Sequence, residues 1–489
     1  MARRAGRASG HFACSARTTH ALHARYETGQ RVTTGTVQPP RSPAAQTGLL
    51  IPAAHQKAAY WRAVSVKPDR ICASKDPESP GLQSEFVNRD ASDVVSGDSA
   101  PPLRLIVSGG GTGGHIYPAL TTIRTLEAQL AATDRQLDVL WIGTAGSLEA
   151  RVATAEDVRF EAVATGKIRR AANPLKLFSR SNILDMCRVP LGVLQARRLI
   201  AQFGPDVVLT TGGYVAVPTG LGSWLARRPL VVHEQTVRLG LANRLLSRLA
   251  SRIALSSGSS LSLLGGKLRH SAVVTGNPVR AELFGGDAEE AVSVLGLGGF
   301  DRGVPTVYVT GGAQGAVQIN RVVREVLPWM LERANVIHQC GKSSIDELTD
   351  HAATLAPDLS GRYLVTEFVG PELADVFDLA DVVISRSGAG TIAEITALGK
   401  ASVLIPLASA AGNEQAHNAG VLAERGAAVA LLDEVSAHTL RQALEPLLRD
   451  TEKRTAIAQS ARLCGHPDAA EQLAQLVLSE ADRRRSARA

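Results

Sequence analysis

The sequence predicts an α/β protein made of two doubly wound, Rossmann-like domains facing a cleft. Short apolar runs alternate with glycine turns and helical segments, the pattern of a parallel sheet covered on both faces. The alternation runs through the chain twice, each series opening on a strand and a glycine-rich loop. At 489 residues the chain is too long for one core, since domains usually run about 100 to 200 residues. Its 45% hydrophobic and 20% charged residues are those of a globular chain, and 45 glycines against 4% aromatics suit close backbone approaches.

Residues 1–102 stand apart from this pattern. They are rich in Arg, Ser, Thr, Ala and Pro, and Glu27 is the only acid among the first fifty. Such composition predicts a disordered extension, with the character of a transit peptide or of a misassigned start. The first series begins at Leu103 with LRLIVS before GGGTGGH, then LDVLWIG, VVLTTGG and LVVHEQ, giving a first domain over 103–275. The second runs from VVTGNPVR through TVYVTGG, NVIHQCG, YLVTEFV, VVISRSGAG and SVLIPL, giving a second domain over 276–450 with its linker near 276–280.

Several classes are disfavoured. Five scattered cysteines, odd in number and never Cys-x-x-Cys, support neither a zinc site nor a disulfide framework and suit a reducing compartment. A net charge of +7 favours polyanions, yet no nucleic-acid module accompanies it, and an anionic membrane face or a diphosphate substrate explains the excess equally well. The most apolar stretches are cut by arginines such as Arg227, Arg228 and Arg244, so no spanning helix is expected.

The first loop, Gly109-Gly110-Gly111-Thr112-Gly113-Gly114-His115, formally matches the dinucleotide fingerprint. A Rossmann site also wants an acid at the end of the second strand, where Gly143 and Thr144 stand, so a nicotinamide cofactor is disfavoured. What remains is bare backbone against which a sugar or phosphate can lie. His115 sits at the helix start, where the dipole favours neutral imidazole, a competent base; its bland reading is a histidine that only bonds the loop. The second cluster, Ser385-Arg386-Ser387-Gly388-Ala389-Gly390-Thr391-Ile392-Ala393-Glu394, is again strand, glycine turn and helix, and can hold a diphosphate on its N–H groups. Glu394, one turn in, can reach a ribose diol or merely complement the dipole. No Asp-x-Asp or histidine pair offers a metal site, so cations such as Arg280 must offset the leaving charge.

In order, GGGTGGHIYPAL, TTGGYVAVP, VVHEQ, GNPVR, GGAQGA and SRSGAGTIAEITALGK resemble the MurG family, the UDP-N-acetylglucosamine–N-acetylmuramyl-(pentapeptide) pyrophosphoryl-undecaprenol N-acetylglucosamine transferases of peptidoglycan synthesis. The resemblance covers residues 103 to about 480. It implies a GT-B fold, the lipid acceptor on the first domain, the UDP-sugar on the second, and a final helix over 451–480 crossing back to the first. It implies further that Thr112, Gly113 and Gly114 form a sugar-binding loop with His115 as base. Arg280 would meet the diphosphate, Val369 the uracil through its backbone, and Ala389, Gly390 and Thr391 the phosphates. Glu394 would hold the ribose, and Glu414 and Gln415 the sugar hydroxyls. Two positions depart from the pattern: Thr236 stands where the family has Asn, and Ala313 where it has Ser. A lost bond to a charged group weakens binding by roughly 1.5 to 3 kcal/mol, so donor affinity should fall without vanishing.

The implied reaction moves N-acetylglucosamine from UDP-N-acetylglucosamine to the C4 hydroxyl of the muramyl sugar of lipid I, the undecaprenyl-diphosphate-linked muramyl pentapeptide, with inversion and without a cofactor or metal. Implied partners are these two substrates, an anionic membrane surface and other cell-wall synthesis proteins, but no nucleic acid. The implied place is the cytoplasmic side of the cell membrane, held peripherally. Residues 167 to about 194 are expected to dock there, because Lys167, Arg169, Arg170, Lys176 and Arg180 interleave with Leu175, Leu177, Phe178, Ile183, Leu184 and Met186. A core helix is the bland alternative. Two other functions fit the same motifs: transfer to another lipid such as diacylglycerol, or a non-catalytic UDP-sugar-binding scaffold.

Overall fold

The computed structural model describes residues 101–166, 180–408 and 413–486, without the side chains of residues 180–187. The expected extension therefore lies outside the described residues, except for Pro101 and Pro102. So does the body of the expected docking segment: residues 167–179 and the side chains of 180–187. Among the described residues, the strands form two parallel sheets.

The first sheet runs β3-β2-β1-β4-β5-β6-β7. Its strands are β1 (Leu103–Gly109), β2 (Leu137–Gly143), β3 (Arg159–Ala162), β4 (Val207–Gly212), β5 (Leu230–Glu234), β6 (Arg252–Leu255) and β7 (Ala272–Val274). Between them lie α1 (Gly113–Ala131), α2 (Leu148–Ala155), α3 (Arg180–Phe203), α4 (Ala216–Leu225), α5 (Leu241–Leu246), α6 (Ser259–Ser262) and α7 (Gly266–His270). Every residue of β4 and β5 is buried, which is why each opens on a continuous apolar run, Val207 to Leu209 and Leu230 to Val232, and not on an alternating pattern. On one face Ile106, Val208 and Val232 meet α3 and α4 through Ala196, Ile200 and Ala216; on the other, Leu105, Val107 and Leu209 meet α1 through Ile116, Ile123 and Leu126. Gly192 and Gly222 let α3 and α4 cross closely: a Cβ at the first would lie 3.3 Å from Pro218 Cβ, and at the second 2.9 Å from the Arg197 nitrogen.

The second sheet runs β10-β9-β8-β11-β12-β13. It follows a 3-10 turn (Ala281–Phe284) and α8 (Ala288–Val294), and contains β8 (Thr306–Thr310), β9 (Asn335–Gln339), β10 (Tyr363–Thr366), β11 (Val382–Ser385), β12 (Ala401–Leu404) and β13 (Val429–Ala430). Its helices are α9 (Val317–Leu331), α10 (Ile345–Ala352), α11 (Pro357–Ser360), α12 (Leu373–Leu379), α13 (Ala389–Leu398), α14 (Glu414–Glu424) and α15 (Ala437–Arg449). In both sheets the strand order reverses beside the first strand, between β1 and β4 and between β8 and β11. These reversals are where doubly wound sheets bind ligands, at the carboxyl ends of the strands.

The C-terminal region corrects one expectation. In place of one returning helix over 451–480 there are two, α16 (Thr451–Cys464) and α17 (Ala469–Ser486). Helix α16 is capped by Asp450, whose carboxylate accepts from the Lys453 amide at 3.0 Å, and it packs on α13 and β12 of the second sheet. The extended Gly465 ends it, and Pro467 cannot continue an interior hydrogen-bond ladder, so the chain crosses at 465–468. Only α17 reaches the first sheet. Its Leu473, Ala474, Val477 and Ala481 are fully buried in the α1 core, a full Leu or Val burial stabilising by about 1.5–3 kcal/mol. Arg485 pairs with Asp206 at 2.6 Å and bonds the Pro101 and Pro102 carbonyls.

Candidate active site

The first glycine loop follows β1 at the reversal point. Gly111 (φ +83°) turns the chain, and its amide donates to Glu149 Oε2 at 3.2 Å. The fully buried Glu149 lies under Gly110, where a Cβ would come 2.4 Å from its carboxyl carbon, so any side chain there would have to displace that carboxylate. Thr112 precedes α1, and Gly113 and Gly114 are its first two residues. His115 comes next, its Nδ1 2.9 Å from Thr112 Oγ1. Thr211, at the end of β4, donates to the His115 carbonyl at 2.6 Å, and the imidazole edge lies against Gly212. Burial lowers the His115 pKa below 6.5, which keeps the ring neutral and able to accept a proton.

Beside it, β5 delivers His233, Glu234, Gln235 and Thr236. Glu234 is buried, and it accepts from the Thr236 amide (3.1 Å), the Gly240 amide (2.8 Å), Asn243 Nδ2 (3.0 Å) and the Thr236 hydroxyl (2.8 Å). Burial raises its pKa despite these bonds. Thr236 Oγ1 also stands 2.6 Å from the Arg238 carbonyl, so its hydroxyl is engaged inside the loop.

In the second domain, α13 starts at the other reversal. Its N-cap is Gly388, without a side-chain cap, and a Cβ on Gly388 or Gly390 would meet nothing within 4 Å. The first-turn amides of Ala389, Gly390 and Thr391 have no acceptor within the helix and no side-chain cap, and they lie at the positive end of its dipole. Arg280 Nη2 lies 3.5 Å from Glu394 Oε1, so the cation assigned to the diphosphate and the acid assigned to the ribose are neighbours. Burial raises the Glu394 pKa, and Arg280 pulls it back. Ala313 is exposed in the loop after β8. The buried Val369 donates its amide to Gln339 Oε1 at 2.8 Å, so only its carbonyl is left to meet a base. Gln415 Oε1 accepts from the Leu407 amide at 2.9 Å, with Glu414 beside it at the start of α14.

Four further residues shape these loops: Glu149 beneath the first, Asn243 beside His115, and Arg386 and Gln339 in the second domain. Arg386 Nη1 reaches Gln318 Oε1 and the Ile405 and Pro406 carbonyls, each at 3.0 Å, tying the start of α9 to the loops after β11 and β12. Gln339 Nε2 reaches the Gly312 carbonyl at 3.0 Å. Arg386 and Gln339 lie inside segments that the sequence pattern picks out; Glu149 and Asn243 act through contacts between separate segments. Helices α13 and α1 touch, bringing the two glycine loops to one cleft. Among the described residues no group of three or more His, Cys, Asp or Glu could hold a metal ion.

Comparison with known proteins follows the same division. The glycosyltransferase family 28 N-terminal domain profile matches residues 105–255, and the C-terminal domain profile residues 306–473. The UDP-N-acetylglucosamine–N-acetylmuramyl-(pentapeptide) pyrophosphoryl-undecaprenol N-acetylglucosamine transferase of Listeria monocytogenes is 34% identical over 380 residues, 77% of this chain and 99% of its own. The protein of the same name from Desulforamulus reducens is 32% identical over 382 residues, 77% and 98% of the two chains. The crystal structure of Acinetobacter baumannii MurG superposes with a TM-score of 0.59 at 26% identity, covering 77% of this chain and all of that one. A putative UDP-N-acetylglucosamine 2-epimerase from Listeria monocytogenes shares the fold alone, at 15% identity and a TM-score of 0.52 over 78% and 97% of the chains.

Proposed function

We propose, from the premise that this chain belongs to the MurG family within glycosyltransferase family 28, that it transfers N-acetylglucosamine from UDP-N-acetylglucosamine to lipid I, completing lipid II for peptidoglycan synthesis. The observation that carries the reading is the pairing across one cleft of a neutral histidine at one reversal point and an uncapped helix N-terminus at the other. The C4 hydroxyl of the muramyl sugar attacks the anomeric carbon of the donor as the bond to the β-phosphate oxygen breaks, inverting the α-linkage. His115 takes the hydroxyl proton. UDP leaves with the bonding electrons, its charge met by the Ala389, Gly390 and Thr391 amides and by Arg280. Glu394 holds the ribose, the Val369 carbonyl meets an N–H of the base, and Glu414 and Gln415 take sugar hydroxyls. Thr112, Gly113 and Gly114 line the acceptor side with Thr236. Ala313 leaves its loop only backbone groups for the phosphates.

The protein attaches peripherally to the anionic cytoplasmic face of the membrane. Among the described residues no helix is long and apolar enough to cross a bilayer. The packed pair α3 and α4 instead exposes Leu191, Leu194, Trp224 and Leu225, and α5 exposes Leu241 and Leu245. No acid occurs between Glu234 and Glu282, while Arg238, Arg244, Arg248, Lys267 and Arg269 are exposed there. Cations beside exposed apolar side chains suit anionic headgroups, each worth about 1 kcal/mol near the surface.

Two measurements test the proposal. UDP release should depend on lipid I; release on adding diacylglycerol instead would identify another acceptor, and release with neither would contradict a transferase dedicated to lipid I. Replacing Leu191 and Leu194 with serine should reduce binding to phosphatidylglycerol vesicles without lowering Tm. Unchanged vesicle binding would place the docking surface elsewhere.

A further inference from the structure

We infer that His233, Gly276 and Asn277 form a positioning linkage across the domain junction that sets the phosphate end of α13 against His115. The inference rests on the transferase reading above and assigns roles to residues that touch neither substrate.

The two segments joining the domains meet at Gly276. Its φ is +79°, and a Cβ there would lie 2.4 Å from His466 Cβ and 2.8 Å from Ala469 Cβ, so the second crossing strand presses directly on the first. With no side chain possible, the carbonyl is the handle. The fully buried His233 of β5 reaches it through Nε2 at 3.1 Å, joined by Thr275 Oγ1 at 3.1 Å. A carbonyl only accepts, so Nε2 carries the proton, and Nδ1 is left to accept from Gln235 Nε2 at 3.1 Å. Burial pushes the His233 pKa down to about 4, which holds this tautomer throughout the neutral range.

One residue further on, Asn277 Nδ2 donates to the Ala389 carbonyl at 3.2 Å, and Ala389 is the first residue of α13. At the other end, the His233 carbonyl accepts from Asn243 Nδ2 at 3.0 Å. That nitrogen and His115 Nε2 each lie 3.2 Å from the Cβ position of Gly212. Hydrogen bonds thus run from Asn243 through His233 and Gly276 to Asn277 and the first residue of α13, with the buried His233, Asn243 and Asn277 in the junction and His115 packed beside Asn243 at Gly212. Loosening any of them leaves each half-site whole but lets their separation vary. A misplacement of about 1 Å between reacting groups can cost about 100-fold in rate.

The test uses the full chain with lipid I and UDP-N-acetylglucosamine. His233→Ala and Asn277→Ala should each lower kcat by about 10- to 100-fold, with KM for the donor changed less than about threefold. His233→Gln should recover most of the rate, because its amide can donate where Nε2 does. The double variant should be no slower than the slower single one, since both cut one linkage. Losses that multiply, a kcat within about twofold of the unaltered chain in both single variants, or a raised KM at unchanged kcat would each overturn the proposal. Should His233→Ala fail to fold, Asn277→Ala decides alone: lower kcat at unchanged KM supports the linkage and unchanged kcat overturns it. Transfer by the unaltered chain tests the functional reading separately from these ratios.

Discussion

Gly212→Ala should damage catalysis through a single added methyl group. Gly212 ends β4 with φ +103°, and a Cβ there would lie 2.9 Å from His115 Cδ2 and 3.2 Å from Nε2. The ring must yield by about 0.5 Å to reach the 3.4 Å of ordinary contact. Since about 1 Å of misplacement can cost about 100-fold, a loss of about 10- to 100-fold in kcat is expected, equivalent to about 1.4–2.7 kcal/mol of barrier. The positive φ adds about 1–3 kcal/mol of backbone strain, which should lower Tm. Gly296→Ala is the control: its φ is +67°, and a Cβ there meets nothing within 4 Å. Both variants should lose stability, but only Gly212→Ala should lose turnover, with UDP affinity unchanged in both. The assay is UDP release with saturating lipid I, alongside thermal melting and UDP titration. A folded Gly212→Ala protein with kcat within about twofold of the unaltered chain would refute the placement of the imidazole against this backbone.

Three further outcomes are expected. His115→Ala should reduce kcat by about 10²- to 10⁴-fold at nearly constant UDP affinity. Because burial lowers the His115 pKa, activity should persist as pH falls past 6.5 and decline only below it, and the variant should lack this acid limb; a limb centred above 6.5 would contradict the buried base. Excess EDTA should leave the rate almost unchanged, whereas inhibition relieved by magnesium would show that protein cations and dipoles do not suffice. Finally, His233 and His338 are buried with pKa values depressed to about 4 and about 3, so the unfolded chain binds protons first as pH falls below 6.5. Stability should be fully present above 6.5 and decrease toward pH 4, with a slope up to about 1.4 kcal/mol per pH unit for each histidine; a midpoint in denaturant that stays flat across this window would count against their burial.

The sheets were legible because β4, β5 and β8 are buried on both faces and so carry consecutive apolar residues, Val207 to Leu209, Leu230 to Val232 and Val307 to Val309, and because the glycine loops punctuate them. The site loops were legible for the same reason: backbone that must lie bare has to be written in glycine. Glu149 was not, because nothing in a first-turn glutamate announces that it will lie under Gly110 and bond Gly111. His233 was visible within a motif, but its partner is a carbonyl more than forty residues away, and a carbonyl leaves no mark on sequence. The split of the C-terminal region into α16 and α17 was hinted at by Gly465 and Pro467. Which sheet each half covers depends on Ala461 and Leu473 finding different cores.

The seat of α17 has a consequence for biosynthesis. Leu105 and Val107 leave the ribosome early, but the face they line is closed by Leu473, Ala474, Val477 and Ala481. At about 5–20 residues per second, the first-made half, complete near residue 275, waits roughly 10–40 s for its lid, while the second half can close around its own sheet before translation ends. The half made first is therefore completed last. Throughout elongation it presents an apolar groove along α1, making the nascent N-terminal half a client for chaperones and a fragment prone to aggregate when expressed without residues 469–486.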